Sequence, residues 1–278
     1  MGMPIGIDVR DPEVDPGVLD RAFAWLRWVD ATFSTYKPDS EISRLNRGGL
    51  ALRDAHRDVR AVLARCAELR AETGGYFDMG AALLAQWERV GDVALRLGAV
   101  DPSGLVKGWA VERAARILEE AGARAYSVNA GGDIRVRGRP SPASGWRIGI
   151  QHPSLRDKVA AVIEATDLAI ATSGAYERGA HIVDPHTGRP PEGVLSVTIT
   201  GPDLATADAY ATAAYAMGRE GPAWTARLVA RGYEAMTILS RPDRPLDAGV
   251  PRHDTRLVNY RYRSCKLEAS SRAYYHYM

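Results

Sequence analysis

Apolar residues recur at steps of three and four through Leu19, Phe23, Leu26, Val29 and Phe33, the spacing that draws one stripe along a helix. Asp15-Pro16 ahead of them offers a cap and a proline suited to a first helical position, so a helix is predicted over residues 15–33. Val59, Val62, Leu63, Cys66 and Leu69 predict a second over 54–73, stopped at Gly74-Gly75. A third is predicted over 108–120, with Val111, Ala114, Ile117 and Leu118 on one side and Gly122 closing it. The period then shortens. Runs rich in β-branched residues predict strands over 125–129, 134–137, 146–151, 159–165 and 168–172, with Gly, Pro and Ser between them. Another strand is expected over 195–200 and a helix over 206–217, and Leu228, Val229, Tyr233 and Met236 to Leu239 read as a last helix-to-strand unit. Strands grouped centrally with helices on both flanks indicate an α+β fold rather than a regular βαβ repeat.

With no internal repeat and no low-complexity linker, one compact domain is expected over 1–254. After Asp254 the pattern dissolves into a tyrosine-rich, aperiodic stretch, so 255–278 is read as a tail of uncertain origin and set aside from the fold.

Composition narrows the classes. The chain is 46% hydrophobic and 25% charged, which supports a sizeable core. A formal net charge of +2, with acids and bases interspersed, gives no footprint for nucleic acid or an anionic membrane. No apolar run reaches the ~18 residues of a transmembrane helix. The opening MGMPIGIDVRDPE lacks the basic start and apolar core of a secretion signal. The expectation is therefore a soluble, cytoplasmic protein as encoded, although a trimmed exported form would read the same. Cys66 and Cys265 have neither metal-site nor redox spacing, and Cys66 falls on an apolar helical stripe as packed core.

Five stretches carry candidate chemistry. Phe33 to Asn46, FSTYKPDSEISRLN, reads as a polar exit from the first helix with Ser40 as an ordinary cap. Gly74 to Asp78, GGYFD, permits a tight turn that sets two aromatic rings beside a carboxylate, a combination able to stack on a planar ligand. Asp101 to Gly108, DPSGLVKG, leads into a helix and reads equally as a capped helix start or as an anion site with Lys107 as point charge. It is not a phosphate-binding Walker loop, because lysine precedes glycine and Trp109 follows; no G-x-G-x-x-G exists either. Asn129 to Asp133, NAGGD, is a hairpin turn or a place where backbone approaches a ligand. The last comprises TSGAYER (172–178), HIVDPHTG (181–188) and ADAYAT (207–212). Asp208 and Thr212 are four apart and share a helix face. A carboxylate and a hydroxyl so placed suit Mg²⁺, which takes a few hard oxygens and completes its shell with phosphate and water; a solvated helix face is the plain alternative.

In this order the stretches resemble the ApbE family of flavin transferases, from residue 1 to about residue 239. The resemblance implies an ApbE-like domain with a central mixed or antiparallel sheet flanked by helices. It implies magnesium-dependent transfer of FMN from FAD to a threonine of an acceptor protein, forming a phosphoester and releasing AMP. Asp208, Thr212 and the backbone carbonyl of Gly104 are its implied metal ligands. Met1, Tyr36, Tyr76, Phe77, Asp78, Asp101, Lys107 and Ile182 are its implied flavin-nucleotide contacts. Asp208 and His181 are the implied catalytic residues, His181 as the base that accepts the threonine proton. The implied partners are FAD and an acceptor carrying a threonine motif, with the enzyme itself a monomer or weak dimer.

Some residues depart from the family pattern. The 78–101 region is short, Ala175 stands where an acidic residue is common, and no lipid-attachment cysteine is visible. Two other readings remain open on these residues: a pyrophosphatase in which water attacks FAD, and a flavin binder without catalysis.

Overall fold

The computed structural model describes residues 2–80, 86–90, 93–97, 99–175, 182–240 and 256–259. The chain begins with β1 (Ile5–Val9), then α1 (Gly17–Phe33), α2 (Glu41–Asn46) and α3 (Arg57–Glu72). A hairpin of β2 (Gln86–Val90) and β3 (Val93–Leu97) precedes the long α4 (Ser103–Glu120). Five strands follow: β4 (Tyr126–Ala130), β5 (Asp133–Arg137), β6 (Trp146–His152), β7 (Leu155–Ala165) and β8 (Leu168–Gly174). The order closes with β9 (Val194–Gly201), α5 (Leu204–Ala216), a short α6 (Gly221–Thr225), β10 (Glu234–Leu239) and β11 (Arg256–Asn259).

The helices form on the apolar stripes, and local caps set their starts. The Asp15 carboxylate accepts the Gly17 amide at 2.9 Å, so α1 starts at Gly17. Ser40 caps α2 by accepting from Ser43 N at 3.0 Å. α4 starts at Ser103 and not at Gly108: Asp101 accepts the Ser103 amide at 3.0 Å, and Pro102 occupies the cap position. Gly104 and Gly108 are therefore helical residues, tolerated at some cost in propensity because neighbours press against both. β1 and α2 are not predicted by the sequence pattern, the one short and interrupted by Gly6, the other only six residues long.

The main sheet has seven strands in the order β1-β4-β5-β8-β9-β10-β11, and every neighbouring pair is antiparallel. Alternation sends its side chains to two faces. On one face Tyr126, Val128, Ala169, Ala171, Val197 and Ile199 join the core built by α1, α3, α4 and α5. On the other, Ile134, Val136, Ile170 and Met236 pack against Trp146, Ile148, Ile150 and Ile163 of the β6–β7 hairpin. The sheet is thus covered by helices on one side and by a two-stranded flap on the other. Each large aliphatic side chain so buried contributes about 1.5–3 kcal/mol.

α5 is buried around most of its circumference, and its alanines let neighbours approach closely. It carries one carboxylate, Asp208, into the interior. Buried Asp is rare without a partner, and that partner defines the site.

Candidate functional site

α4 and α5 meet at Gly108, where a Cβ would lie 2.6 Å from the Leu204 carbonyl and 3.0 Å from Asp208 Cβ. Only glycine permits this approach. The Gly108 amide donates to Asp208 Oδ2 at 3.1 Å. In a regular helix that amide serves the carbonyl four residues back, which is Gly104; here it also serves α5. One turn from Asp208, the Thr212 hydroxyl is 3.4 Å from the Ser173 hydroxyl of β8. Gly104 lies between Phe77 and Thr212, with positions for an added Cβ 3.2 Å from the Phe77 ring and 3.9 Å from Thr212 Cγ2. The three implied metal ligands, Gly104, Asp208 and Thr212, therefore gather along one contact of two helices, with Phe77 beside them.

A residue that sequence reasoning missed completes the polar cluster. The β4–β5 hairpin turns through Gly131 and Gly132 at φ +56° and +92°, a two-residue turn that requires left-handed residues. The turn delivers Asp133, which is fully buried, to the helix face of the sheet. Its Oδ2 lies 2.8 Å from the Lys107 ammonium, and its Oδ1 accepts the Thr172 amide at 3.4 Å. Oδ2 takes no aligned hydrogen bond, so its contact with the ammonium is chiefly charge on charge. Lys107 also stands 3.6 Å from Asp208 Oδ1. Burial and then the neighbouring Asp133 push Asp208 well above the ordinary carboxylate range, while Lys107 and the Gly108 amide oppose the rise. An added cation would hold Asp208 ionised.

This donor set fits magnesium: carboxylate, hydroxyl and carbonyl oxygens are hard ligands, and a half-exposed flank leaves room for water and phosphate. With both carboxylates ionised the pair outnumbers the ammonium beside it, and a bound cation would balance the excess. Glu112, one turn beyond Gly108, accepts the Leu204 amide at 2.9 Å and so fixes the start of α5 against α4.

Of the remaining predicted residues, Phe77 touches this cluster at Gly104, and the other described ones are spread over neighbouring turns and the surface. The GGYFD turn opens at Gly74 and Gly75, φ +63° and +92°. Phe77 is buried and Tyr76 half-buried, its ring edge-on to His186 with centroids 4.6 Å apart. Burial, followed by the charges of Asp184 and Glu220, raises the Tyr76 phenol. Asp78 pairs with Arg70 at 3.1 Å and accepts the Gly80 amide at 2.8 Å. Asp101 joins this turn to α4, its amide donating to the Met79 carbonyl at 2.7 Å. Ile182 packs against the main core from the other loop. Tyr36 is 95% exposed, turned to solvent and not packed with the rest. Met1 and His181 lie outside the described residues.

His186 is a second residue the sequence reading did not single out. The loop that carries it is wound by Asp184, which accepts the His186 amide at 2.9 Å and the Thr187 hydroxyl at 3.0 Å. His186 then rests on Gly75, where an added Cβ would lie 3.2 Å from its ring. The DPHTG and GGYFD turns thus form one wall.

Comparison with known proteins identifies relatives of this chain. Over 131 residues the chain is 42% identical to a FAD:protein FMN transferase of Vibrio cholerae serotype O1, covering 44% of this chain and 39% of that protein. A FAD:protein FMN transferase of Haemophilus influenzae is 28% identical over 247 residues, 71% of each chain. The first of these alignments thus spans well under half of its relative's length. Among solved structures, the flavin transferase ApbE from Vibrio cholerae superposes with a TM-score of 0.77 at 26% identity, covering 93% of this chain and 94% of that one. The ApbE protein from Thermotoga maritima shares the fold, with a TM-score of 0.75 at 23% identity. The family model described as ApbE matches residues 1–96 and 87–237, most of the chain, and with the shared fold it places this protein in the ApbE family.

Proposed function

We propose that this protein transfers FMN from FAD to a threonine side chain of an acceptor protein and releases AMP. The observation that carries the reading is the convergence of Gly104, Asp208 and Thr212 on one α4–α5 contact with Lys107 alongside. The names of the relatives support the flavin chemistry.

Gly104, Asp208 and Thr212 would hold magnesium. Bound there, the ion would supply Lewis-acid polarisation of the diphosphate and neutralise charge on the departing phosphate. Lys107 places a positive charge beside the same region, suited to a phosphate oxygen. Tyr76 offers aromatic surface to the flavin nucleotide, the buried Phe77 ring supports the turn from within against Gly104, and Ile182, Asp78 and Asp101 frame that wall. The threonine oxygen forms a bond to the phosphorus of the FMN half; the bond from that phosphorus to the bridging oxygen breaks, and AMP leaves with the electron pair. The threonine proton passes to a base, the role assigned to His181. Positioning of acceptor and diphosphate supplies most of what such a displacement needs.

The test is Asp208→Ala. AMP release from FAD is expected to vanish while the circular dichroism spectrum stays native. Full AMP release in that variant, in the presence of magnesium, would remove the proposed metal site.

A further inference from the structure

The Lys107 ammonium is shared between two carboxylates at unequal distances. It lies 2.8 Å from Asp133 Oδ2 and 3.6 Å from Asp208 Oδ1. Asp208 Oδ2 already accepts the Gly108 amide, which leaves Oδ1 the more available oxygen for a cation. A cation on Oδ1 therefore competes with the lysine for one atom. Asp133 is fully buried, rigidly delivered by the Gly131-Gly132 turn, and its Oδ2 meets no aligned hydrogen-bond donor. Burial of such a charge is costly unless it is paired, and the partner within 2.8 Å is the Lys107 ammonium.

We propose that Asp133 is a positioning residue that holds the Lys107 ammonium off Asp208 Oδ1, keeping that oxygen available for the divalent cation. The inference rests on the metal site proposed above. Without the Asp133 charge, the ammonium still faces the Asp208 carboxylate 3.6 Å away, a short reorientation from direct contact. The lysine then closes on Oδ1 as an internal counter-ion, and the divalent cation has to displace it. Asp133 thus acts twice, by adding negative charge near the cation and by removing its competitor.

The experiment uses Mn²⁺ as the probe on full-length, metal-free and FAD-free protein, with free Mn²⁺ read by electron paramagnetic resonance. Turnover does not enter the readout. Asp133→Asn preserves size and the Oδ1 acceptor for Thr172, and its Mn²⁺ affinity is expected to fall by roughly 10–100-fold. Lys107→Met, which deletes the competitor, is expected to bind Mn²⁺ more tightly than wild type. Asp133→Asn combined with Lys107→Met is expected to recover affinity relative to Asp133→Asn alone. A purely structural role for Asp133 would lower the melting temperature of Asp133→Asn and leave its Mn²⁺ affinity unchanged, which overturns the proposal. No gain in Lys107→Met and no recovery in the double variant overturn it equally, and Lys107→Met decides the matter if Asp133→Asn fails to fold. Asp208→Ala separates the two levels of inference. If wild type shows no Asp208-dependent Mn²⁺ binding, the metal site itself is wrong. If it does, and Asp133→Asn matches wild type, only the role of Asp133 is wrong.

Discussion

Gly108→Ala is the substitution that probes the α4–α5 contact most sharply. The new methyl would lie 2.6 Å from the Leu204 carbonyl oxygen and 3.0 Å from both Ala205 Cα and Asp208 Cβ. The first of these is about 0.8 Å short of the 3.4 Å at which ordinary contact begins, and the obstacle is backbone that no side-chain rotation relieves. Overpacking of this kind costs about 1–3 kcal/mol, and a clash with a main-chain atom belongs near the top of that range. Alanine regains about 1 kcal/mol of helix propensity over glycine. The net loss is then about 2 kcal/mol, equivalent to a melting temperature lower by about 4–8 °C for a domain of this size. Function should suffer more than stability. Separation of the helices pulls the Gly108 amide from Asp208 Oδ2 and moves Asp208 and Thr212 relative to Gly104; a displacement near 1 Å can cost about 100-fold in rate. Thermal denaturation followed by circular dichroism, together with AMP release from FAD, reads both effects. A variant with wild-type melting temperature and wild-type turnover would refute the close-contact account.

Other outcomes follow from the same structure. Asp208→Ala should melt within a few degrees of wild type while losing turnover, because burial already disfavours its charged form; a large drop in melting temperature would show the carboxylate to be structural. Partial burial tends to raise Glu119, but hydrogen bonds from Tyr126 at 2.5 Å and from Arg137 at 2.7 Å hold it below its ordinary 4.5. Its contribution is complete above the unfolded value and is lost as pH falls through the lower folded value, so urea midpoints should drop below about pH 4.5, less steeply in Glu119→Gln. Equal acid sensitivity in the two proteins would contradict this. Cys66 is buried and its thiol is pushed up by that burial, so iodoacetamide should leave the Cys66 peptide unlabelled in native protein and label it in urea; rapid native labelling would place the residue at the surface.

Local pattern made most of the fold legible. The stripes through Leu26, Val29 and Phe33 and through Val62, Cys66 and Leu69 became the buried faces of α1 and α3. The alternation of Trp146, Ile148 and Ile150 became the inner face of β6. Asp208 and Thr212 were legible as a pair because a helix puts residues four apart on one face. Asp133 was not, because its meaning depends on Lys107 in another element and on Asp208 in a third, and no local period encodes such a meeting. The paired glycines before it were the available signal, a turn tight enough to aim whatever follows. His186 stood inside a noted motif, but its contact with Tyr76 joins loops far apart in the chain. The start of α4 was missed because Gly104 and Gly108 count against a helix locally, whereas the packing of Phe77 and α5 requires them to be small.

Transfer is read from the mass of a threonine-bearing acceptor peptide incubated with this protein, FAD and magnesium. The peptide is expected to gain one FMN phosphoester as AMP appears, and EDTA to abolish both. Release of free FMN and AMP with every candidate acceptor left unmodified would contradict transfer and make the protein a hydrolase, and intact bound FAD would contradict catalysis altogether.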